Sequence, residues 1–213
     1  MQILCQAVKA QSTAGYGSGF PQEYSGSPIV SRENDYHAAG QRNRSGRFML
    51  IGVMSDTHDN ILQAEQAVSL FNNEGVEQVL HAGDYIAPFM IDTLSELEAP
   101  LTGVFGNNDG DRVLLEKKAA AFPLLKIGGV FARVDAGGMK IALLHGHDQQ
   151  LLQMLMGLES LDLLVYGHTH RPDIRRNGPL LIVNPGEVYG HLNGRSTVAL
   201  VDTEKKAATI VEI

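Results

Sequence analysis

The sequence predicts an α/β fold in which two packed β-sheets carry helices on their outer faces, an α/β or α+β sandwich. In the first half, apolar segments of strand length alternate with segments of helical periodicity, which indicates a parallel sheet. In the second half, paired apolar segments flank glycine-containing turns, which indicates antiparallel hairpins. Polar motifs follow five of these strands, and their position predicts where a functional site lies.

Residues 1–47 differ in composition from the remainder of the chain. They are rich in turn-forming and polar residues and show no helical or strand periodicity of useful length. Such a segment cannot bury enough apolar surface to offset its ordering entropy, so we expect a disordered tail before one domain at 48–213. Three explanations stay open: an organelle-targeting peptide, a partner-binding arm, or a non-native extension of a protein that starts at Met49, which we favour.

The first half of the domain predicts three strand–helix units. The strands are expected at 48–54, 76–80 and 101–105, each apolar enough to be buried on both faces. The first helix starts near Leu62 and stops at Gly75, a residue type that often ends helices. A second helix is expected at 88–97, and Asp111 is expected to cap a third helix that continues through residue 121.

The second half predicts three hairpins and one further strand–helix crossover. The first hairpin joins 130–134 to 139–144 through Gly137-Gly138, and a helix at 149–158 leads to a strand at 161–166. The second joins 174–176 to 180–183 through Asn177-Gly178, a favoured hairpin turn. The last joins 197–202 to 208–213.

Composition excludes several classes of function. The net charge is −7, and residues 1–47 hold five Lys or Arg against three Asp or Glu, so the domain carries all of the excess negative charge. This argues against broad binding to nucleic acid or anionic membranes. Cys5 is the single cysteine, which excludes internal disulfides and cysteine-based zinc sites. No apolar segment approaches the ~18 residues of a membrane span, so we expect a soluble, cytoplasmic protein.

Metal-ligating residue types follow five predicted strands. In the motif Gly167-His168-Thr169-His170, side chains two residues apart on extended backbone face the same way, and Gly167 lets other groups approach closely. A single strand-end Asp is more often a turn or a helix cap, but five such motifs are hard to explain in that way. The side chains that can converge on one rim are Asp56, His58, Asp84, Asn107, His145, His147, His168 and His170.

These motifs together resemble the calcineurin-like metallophosphoesterase superfamily, in its small bacterial and archaeal phosphodiesterase branch. The blocks in family order are Asp56-x-His58, Gly83-Asp84, Gly106-Asn107-Asn108-Asp109, His145-Gly146-His147 and Gly167-His168-Thr169-His170. The resemblance covers residues 48–213 and implies a four-layer αββα sandwich with a metal site at the carboxyl ends of its strands. It implies that Asp56, His58, Asp84 and His170 hold one ion, and that Asp84, Asn107, His145 and His168 hold a second, with Asp84 bridging.

The resemblance also implies a reaction. Two divalent transition-metal ions, manganese first with nickel, iron or zinc as alternatives, suit a set of carboxylate, amide and imidazole ligands. A hydroxide bridging them would attack phosphorus in line, giving a dinuclear metal-dependent phosphodiesterase. The expected partner is a small phosphodiester substrate, with nucleic acid only as a short substrate. A homo-oligomer is left open.

Two positions depart from the pattern of the family. Asn108 stands where many members have a histidine that contacts the substrate, and an amide can donate a hydrogen bond but not a proton. We therefore assign Asn108 a substrate contact and name His147 as the second candidate catalytic residue, the alternative being a hydrogen bond that supports the site. Glu187 follows the Asn184-Pro185-Gly186 turn where the branch commonly has serine, and its role is open.

Two other functions compete with the phosphodiesterase. One is a protein-binding scaffold on the same fold, as in the retromer subunit that resembles this branch. The other is a nuclease of the same superfamily. All seven expected ligand positions keep ligating side chains, which favours an enzyme over a scaffold. The acidic chain offers no evident basic track for a nucleic-acid backbone, which disfavours the nuclease.

Overall fold

The computed structural model describes residues 29–30 and 48–213. The strands there are β1 (Ile29–Val30), β2 (Leu50–Met54), β3 (Gln78–His81), β4 (Leu101–Gly103), β5 (Leu125–Ile127), β6 (Phe131–Ala136), β7 (Met139–Leu144), β8 (Leu163–Val165), β9 (Pro172–Asn177), β10 (Leu180–Pro185), β11 (Thr197–Asp202) and β12 (Ala207–Glu212). They form two mixed sheets. The first sheet has the order β1-β12-β11-β2-β3-β4-β5, and the second has the order β6-β7-β8-β10-β9.

In the described part of the chain, four helices connect the strands, and local side-chain chemistry sets their ends. They are α1 (Ile61–Glu74), α2 (Met90–Leu94), α3 (Arg112–Ala119) and α4 (Gln149–Met156). The side chains of Asn60, Asp111 and Asp148 each accept a hydrogen bond from a backbone N–H in the first turn of α1, α3 and α4. Gly75 ends α1 with a φ of 61°, the left-handed conformation that glycine adopts without strain.

Three apolar clusters separate four layers. Phe71 of α1 and Leu115 of α3 pack with Met54 and Leu101 on the outer face of the first sheet. Ile51 and its equivalents on the inner face of that sheet pack against the inner face of the second sheet. Leu152 and Leu155 of α4 pack on the outer face of the second sheet. Helices, sheet, sheet and helix therefore stack in the expected αββα order.

The predicted strand directions are confirmed. Strands β2, β3, β4 and β5 pair in parallel, whereas β6–β7, β9–β10 and β11–β12 pair antiparallel as hairpins. Two elements differ from expectation. The helix predicted at 88–97 is shorter, because only Met90–Leu94 is α-helical. Strand β5 was not predicted, since its three residues are interrupted by the exposed Lys126 and form no continuous apolar segment.

Within the described residues, no helix combines the length and apolar character that crossing a bilayer requires. The prediction for residues 1–47 falls outside the described part of the chain, apart from Ile29–Val30. Those two residues pair in parallel with Ile210 and Val211 at the edge of the first sheet. Disorder or a non-native origin of the tail therefore stays a prediction.

Candidate metal centre

The predicted ligands lie at one rim, where the carboxyl ends of strands from both sheets meet. The loop after β2 lies against the loop after β3, since Asp56 N donates to Gly83 O at 3.0 Å and His58 N donates to Asp84 O at 3.1 Å. The second sheet joins this pair, because His168 N donates to Asp56 Oδ2 at 3.0 Å. Backbone hydrogen bonds therefore bring three loops together, although they are far apart in the sequence.

Asp56, His58 and His170 form the first group whose ligand atoms lie close enough to share an ion. Asp56 Oδ1 is 3.6 Å from His58 Nε2 and 3.6 Å from His170 Nε2. The imidazole rings of His58 and His170 are 5.1 Å apart between centroids. One carboxylate oxygen thus lies between two imidazole nitrogens.

Asp56, Asp84 and His145 form the second group. Asp84 Oδ2 is 3.2 Å from His145 Nε2 and 3.5 Å from His58 Nε2. Asp56 is the carboxylate that belongs to both groups. Asp84 belongs to the second group and also approaches His58 of the first, so a bridging role for Asp84 stays a prediction. The ring of His168 is 5.1 Å from the ring of His145, which places it beside the second group.

Several of the atoms that face the centre are buried without a hydrogen-bond partner. In the described residues, five buried side-chain atoms lack a partner, and three of them are Asp56 Oδ1, His58 Nε2 and His145 Nε2. Leaving such atoms unpaired costs roughly 1–3 kcal/mol each. A divalent cation would satisfy all three, so the donor set fits a metal centre.

Five of the predicted ligands share a strained backbone conformation with positive φ. Asp56, His58 and Asp84 have φ values of 54°, 40° and 61°, and His168 and His170 have 67° and 61°. Non-glycine residues with positive φ are uncommon, and such strain persists where the surrounding structure enforces it. Five of the seven predicted ligands therefore depend on tertiary contacts for their conformation.

Two glycines without side chains let the carboxylates of Asp56 and Asp84 lie close to the neighbouring backbone. A Cβ atom at Gly167 would overlap Ser55 Oγ, which itself donates to Asp56 Oδ2 at 2.5 Å. A Cβ atom at Gly106 would overlap Asp84 Oδ1. The close approach expected at Gly167 is thus present, and it joins the two sheets at the site.

Asp109 supports the loop that carries Asp84, a role that the sequence did not reveal. Its buried carboxylate accepts hydrogen bonds from the backbone N–H groups of Asp84, Tyr85, Ile86 and Gly106, at 3.1, 2.7, 2.9 and 2.7 Å. Asp84 and Ile86 both have positive φ, so these bonds offset local strain. The only signal in the sequence was the position of Asp109 at the end of the Gly106-Asn107-Asn108-Asp109 motif.

Of the remaining predicted residues, Asn108 and His147 lie at the mouth of the centre. Asn108 donates from Nδ2 to Asp84 Oδ2 at 2.7 Å and from its backbone N–H to Asp84 Oδ1 at 2.9 Å. Asn107 precedes it and is exposed. The exposed ring of His147 is 5.5 Å from that of His145 and 6.2 Å from that of His168. All three therefore stay candidates for the roles assigned to them.

The neighbours of Asp84 favour its ionised form. Burial raises the pKa of Asp84, but the neighbouring His145 and Asn108 outweigh it and lower the pKa well below its usual range. Burial opposes protonation of His58 and His145, yet the adjacent carboxylates raise the pKa of both. Burial, followed by the charge of His145, lowers the pKa of His147 and of His168. The centre therefore attracts positive charge.

Two of the imidazoles are fixed through Nδ1, which leaves Nε2 facing the centre. His145 Nδ1 is 2.8 Å from the carbonyl oxygen of Ala82. His170 Nδ1 is 2.7 Å from Glu187 Oε2. Metal-ligating histidines usually donate their second ring N–H to such a carbonyl or carboxylate. Glu187 is thus part of the site, whereas the sequence showed only that its position was unusual.

Known proteins are similar in sequence to this domain. The sequence model of the calcineurin-like phosphoesterase superfamily domain matches residues 49–206. A phosphodiesterase of Methanocaldococcus jannaschii is 38% identical over 158 residues, which cover 74% of this chain and 95% of the relative. The phosphodiesterase YfcE of Escherichia coli is 30% identical over 162 residues, which cover 66% of this chain and 80% of the relative.

Solved structures share the architecture. A structurally and functionally characterised archaeal phosphodiesterase superposes with a TM-score of 0.74 at 36% identity, covering 78% of this chain and 100% of the other. Vps29 of Entamoeba histolytica, solved with zinc, has a TM-score of 0.53 at 18% identity and covers 78% of this chain and 98% of its own. The second likeness shows a common fold alone.

Proposed function

Because this chain belongs to the calcineurin-like phosphoesterase superfamily, we propose that it hydrolyses small phosphodiesters with two divalent metal ions held at the rim where its two sheets meet. Its phosphodiesterase relatives and its phosphoesterase domain make it a phosphoric ester hydrolase with a group of metal-ligating residues. Beyond this, we propose the number of ions, the identity of the metal and the class of ester.

Unpartnered ligand atoms carry the proposal. Asp56 Oδ1, His58 Nε2 and His145 Nε2 are buried and have no hydrogen-bond partner. His58 Nε2 lies near Asp56 Oδ1, and His58 Nε2 and His145 Nε2 both lie near Asp84 Oδ2. Two groups of ligand atoms rather than one support two ions. The groups share Asp56, and Asp84 of the second group also lies 3.5 Å from His58 Nε2 of the first. The first ion would be held by Asp56, His58, Asp84 and His170, and the second by Asp84, Asn107, His145 and His168. Manganese is the first choice, because hard oxygen donors are mixed with imidazoles.

The chain itself would orient the substrate. Bound divalent ions lower the pKa of water and neutralise charge on a phosphate group. Asn108 stands beside Asp84 at the mouth of the centre and can donate a hydrogen bond from its amide to a phosphate oxygen. His147 is exposed at the same mouth and can hold or release a proton through its ring. We propose these two as the catalytic residues.

Metal analysis followed by a hydrolysis screen tests the proposal. The purified protein, loaded separately with manganese, nickel, iron or zinc, would be assayed on phosphomonoesters, aryl diesters, cyclic nucleotides and short oligonucleotides. Two ions per chain and a preference for small diesters are the expected results. A loaded protein that hydrolyses none of these esters would point to the scaffold. Faster hydrolysis of oligonucleotides than of small diesters would point to the nuclease.

Location and assembly stay proposals as well. A single cysteine is usual in a reducing compartment, which supports action in the cytoplasm. A homo-oligomer would be tested by light scattering of the metal-loaded protein. Neither point alters the chemistry assigned to the site.

A further inference from the structure

We infer that Glu187 is a positioning residue, whose carboxylate holds His170 in the tautomer that presents Nε2 to the metal centre. The inference rests on the proposed function, because it concerns one ligand of the proposed first ion. Glu187 is buried, and its carboxylate lies behind His170 on the side away from Asp56. Glu187 and His170 are 17 residues apart in the sequence and meet only through the fold.

The backbone around Glu187 follows β10 of the second sheet and is hydrogen-bonded to the first sheet. Its carbonyl oxygen accepts a hydrogen bond from Thr197 N at 2.9 Å. Val188 N donates to Ser55 O at 3.0 Å, and Tyr189 N donates to Asp56 O at 2.9 Å. The segment that carries Glu187 thus runs beside the loop that carries Asp56. Glu187 therefore stands on a rigid support, which is what a group that orients another requires.

Three hydrogen-bond donors converge on the carboxylate of Glu187. Oε1 accepts from the backbone N–H groups of Leu192 and Asn193, at 2.9 and 2.6 Å, and Oε2 lies 2.7 Å from His170 Nδ1. An ionised carboxylate has only acceptor sites, so it satisfies all three donors when Nδ1 carries the hydrogen. In a neutral imidazole the free lone pair is then on Nε2, the nitrogen that lies 3.6 Å from Asp56 Oδ1.

An amide at this position cannot satisfy the same three donors. If its oxygen accepted the two backbone N–H groups, its NH₂ group would face Nδ1 and favour the tautomer with hydrogen on Nε2. That tautomer has no lone pair to offer an ion. If its oxygen faced Nδ1 instead, its NH₂ group would face two backbone donors. Glu187→Gln therefore tests the carboxylate itself at nearly constant size.

The charge of Glu187 adds to this geometric effect. A carboxylate behind a ligating histidine makes the ring a stronger donor, and losing such a partner typically costs about 10–100-fold in metal affinity. His145 has a neutral carbonyl oxygen, that of Ala82, in the equivalent place. Loss of Glu187 should therefore weaken the ion bound by His170 and leave the ion bound by His145 in place.

Nitrogen NMR and metal titration together test the inference. In the metal-free protein, ¹⁵N shifts report which ring nitrogen of His170 carries the hydrogen, with His170→Ala giving the assignment. We expect hydrogen on Nδ1 in the unmodified protein and a shift towards Nε2 in Glu187→Gln. Calorimetric titration with Mn²⁺ should show about 10–100-fold weaker binding at one of two sites. Glu187→Asp, which restores the charge, should recover part of the affinity.

Two control variants distinguish a loss of His170 orientation from a general loosening of the site. Asn193→Ala removes the hydrogen bond from Asn193 Nδ2 to His170 O, yet it leaves the Glu187–His170 contact intact, so the tautomer should not change. Glu204→Gln makes the same chemical change at an exposed turn and should alter neither readout. An unmodified protein with hydrogen on His170 Nε2 would overturn the inference even if Glu187→Gln did not fold. Failure of the unmodified protein to bind manganese would instead count against the proposed function.

Discussion

The two sheets supply different chemistry to the same metal centre. The first sheet carries every oxygen donor of the predicted set, in the loops after β2, β3 and β4, and the second sheet carries imidazoles only, in the loops after β7 and β8. The ligands of the first sheet are Asp56, His58, Asp84 and Asn107, and those of the second are His145, His168 and His170. Each proposed ion would therefore be bound from both sides.

The two sets are also held in different ways. The carboxylates are fixed by hydrogen bonds from backbone N–H groups, that of His168 to Asp56 and that of Asn108 to Asp84. Two of the imidazoles are fixed by one acceptor at Nδ1, as in His145 and His170. Asp56 of the first sheet belongs to both groups of ligand atoms, whereas His145 and His170 of the second sheet each belong to one. Substitutions in the two sheets should differ accordingly.

The largest effect is expected for Asp84→Asn, which removes the charge between the two groups. Asp84 Oδ2 lies near His58 Nε2 and His145 Nε2, so both ions should lose a ligand. Metal-ion catalysis contributes several kcal/mol, so kcat/KM should fall by about 10³-fold or more. Metal content and turnover on an aryl diester are the measurements. Arg195→Ala, at an exposed site, is the control and should change neither. Full occupancy and activity in Asp84→Asn would contradict a bridging role.

The next effect concerns the contact between the sheets. In Gly167→Ala, the new methyl group would overlap Ser55 Oγ and lie 2.6 Å from Asp56 Oδ2, so the sheets must separate at the site. Overpacking of this kind costs about 1–3 kcal/mol. Denaturant unfolding should show that loss of free energy, and metal titration should show weaker binding. Gly110→Ala is the matched control, because a Cβ atom there meets nothing within 4 Å. Equal stability of the two variants would show that the close approach at Gly167 does not contribute to the free energy of unfolding.

A smaller effect, confined to some substrates, is expected at Asn108. A general acid typically contributes about 10²–10⁴-fold when the leaving group is poor, and an amide cannot be one. The unmodified enzyme should therefore favour acidic leaving groups, such as those of aryl or nucleotide diesters. Its rate should fall steeply as the pKa of the leaving group rises. Asn108→His should flatten that dependence, and the exposure of Asn108 leaves room for the ring.

The measurement for Asn108 is kcat/KM over a series of diesters with graded leaving-group pKa, made on both proteins. The unmodified enzyme serves as the reference at every point of the series. A shallow dependence in that enzyme would mean that another acid already acts. His147→Ala would then be the variant to measure, because His147 is an exposed side chain at the mouth of the centre and its ring can release a proton.

The sequence predicted the elements that local patterns determine. Buried strands such as β2 and β8 are nearly continuous apolar segments, and Gly75 and Asp111 mark helix ends by their own chemistry. The carboxyl ends of parallel strands lie at the same edge of a sheet. The motifs that follow these strands could therefore be predicted to lie close together. Strand β5 was missed, because the exposed Lys126 stands between its two apolar residues and no continuous apolar segment marks the strand.

The supporting residues of the site could not be predicted, because they act through tertiary contacts. Glu187 meets His170 across two loops, and Asp109 meets Asp84 across another two. Neither contact has a characteristic spacing in the sequence. The positive φ of five predicted ligands was equally hidden, since none of them is glycine and only the folded structure enforces that conformation.

The smallest effect is expected from deleting residues 1–46. Within that segment the structure describes Ile29–Val30, which pairs with β12 at the edge of the first sheet, with β12 and β11 between it and β2. Loss of two paired residues removes few hydrogen bonds, each worth about 0.5–1.5 kcal/mol, so unfolding free energy should fall slightly and turnover should not change. Because an exposed strand edge can pair with another chain, light scattering should accompany the unfolding measurement. A large fall in turnover would show that the segment reaches the metal centre, and the contrast between the two sheets would then be incomplete.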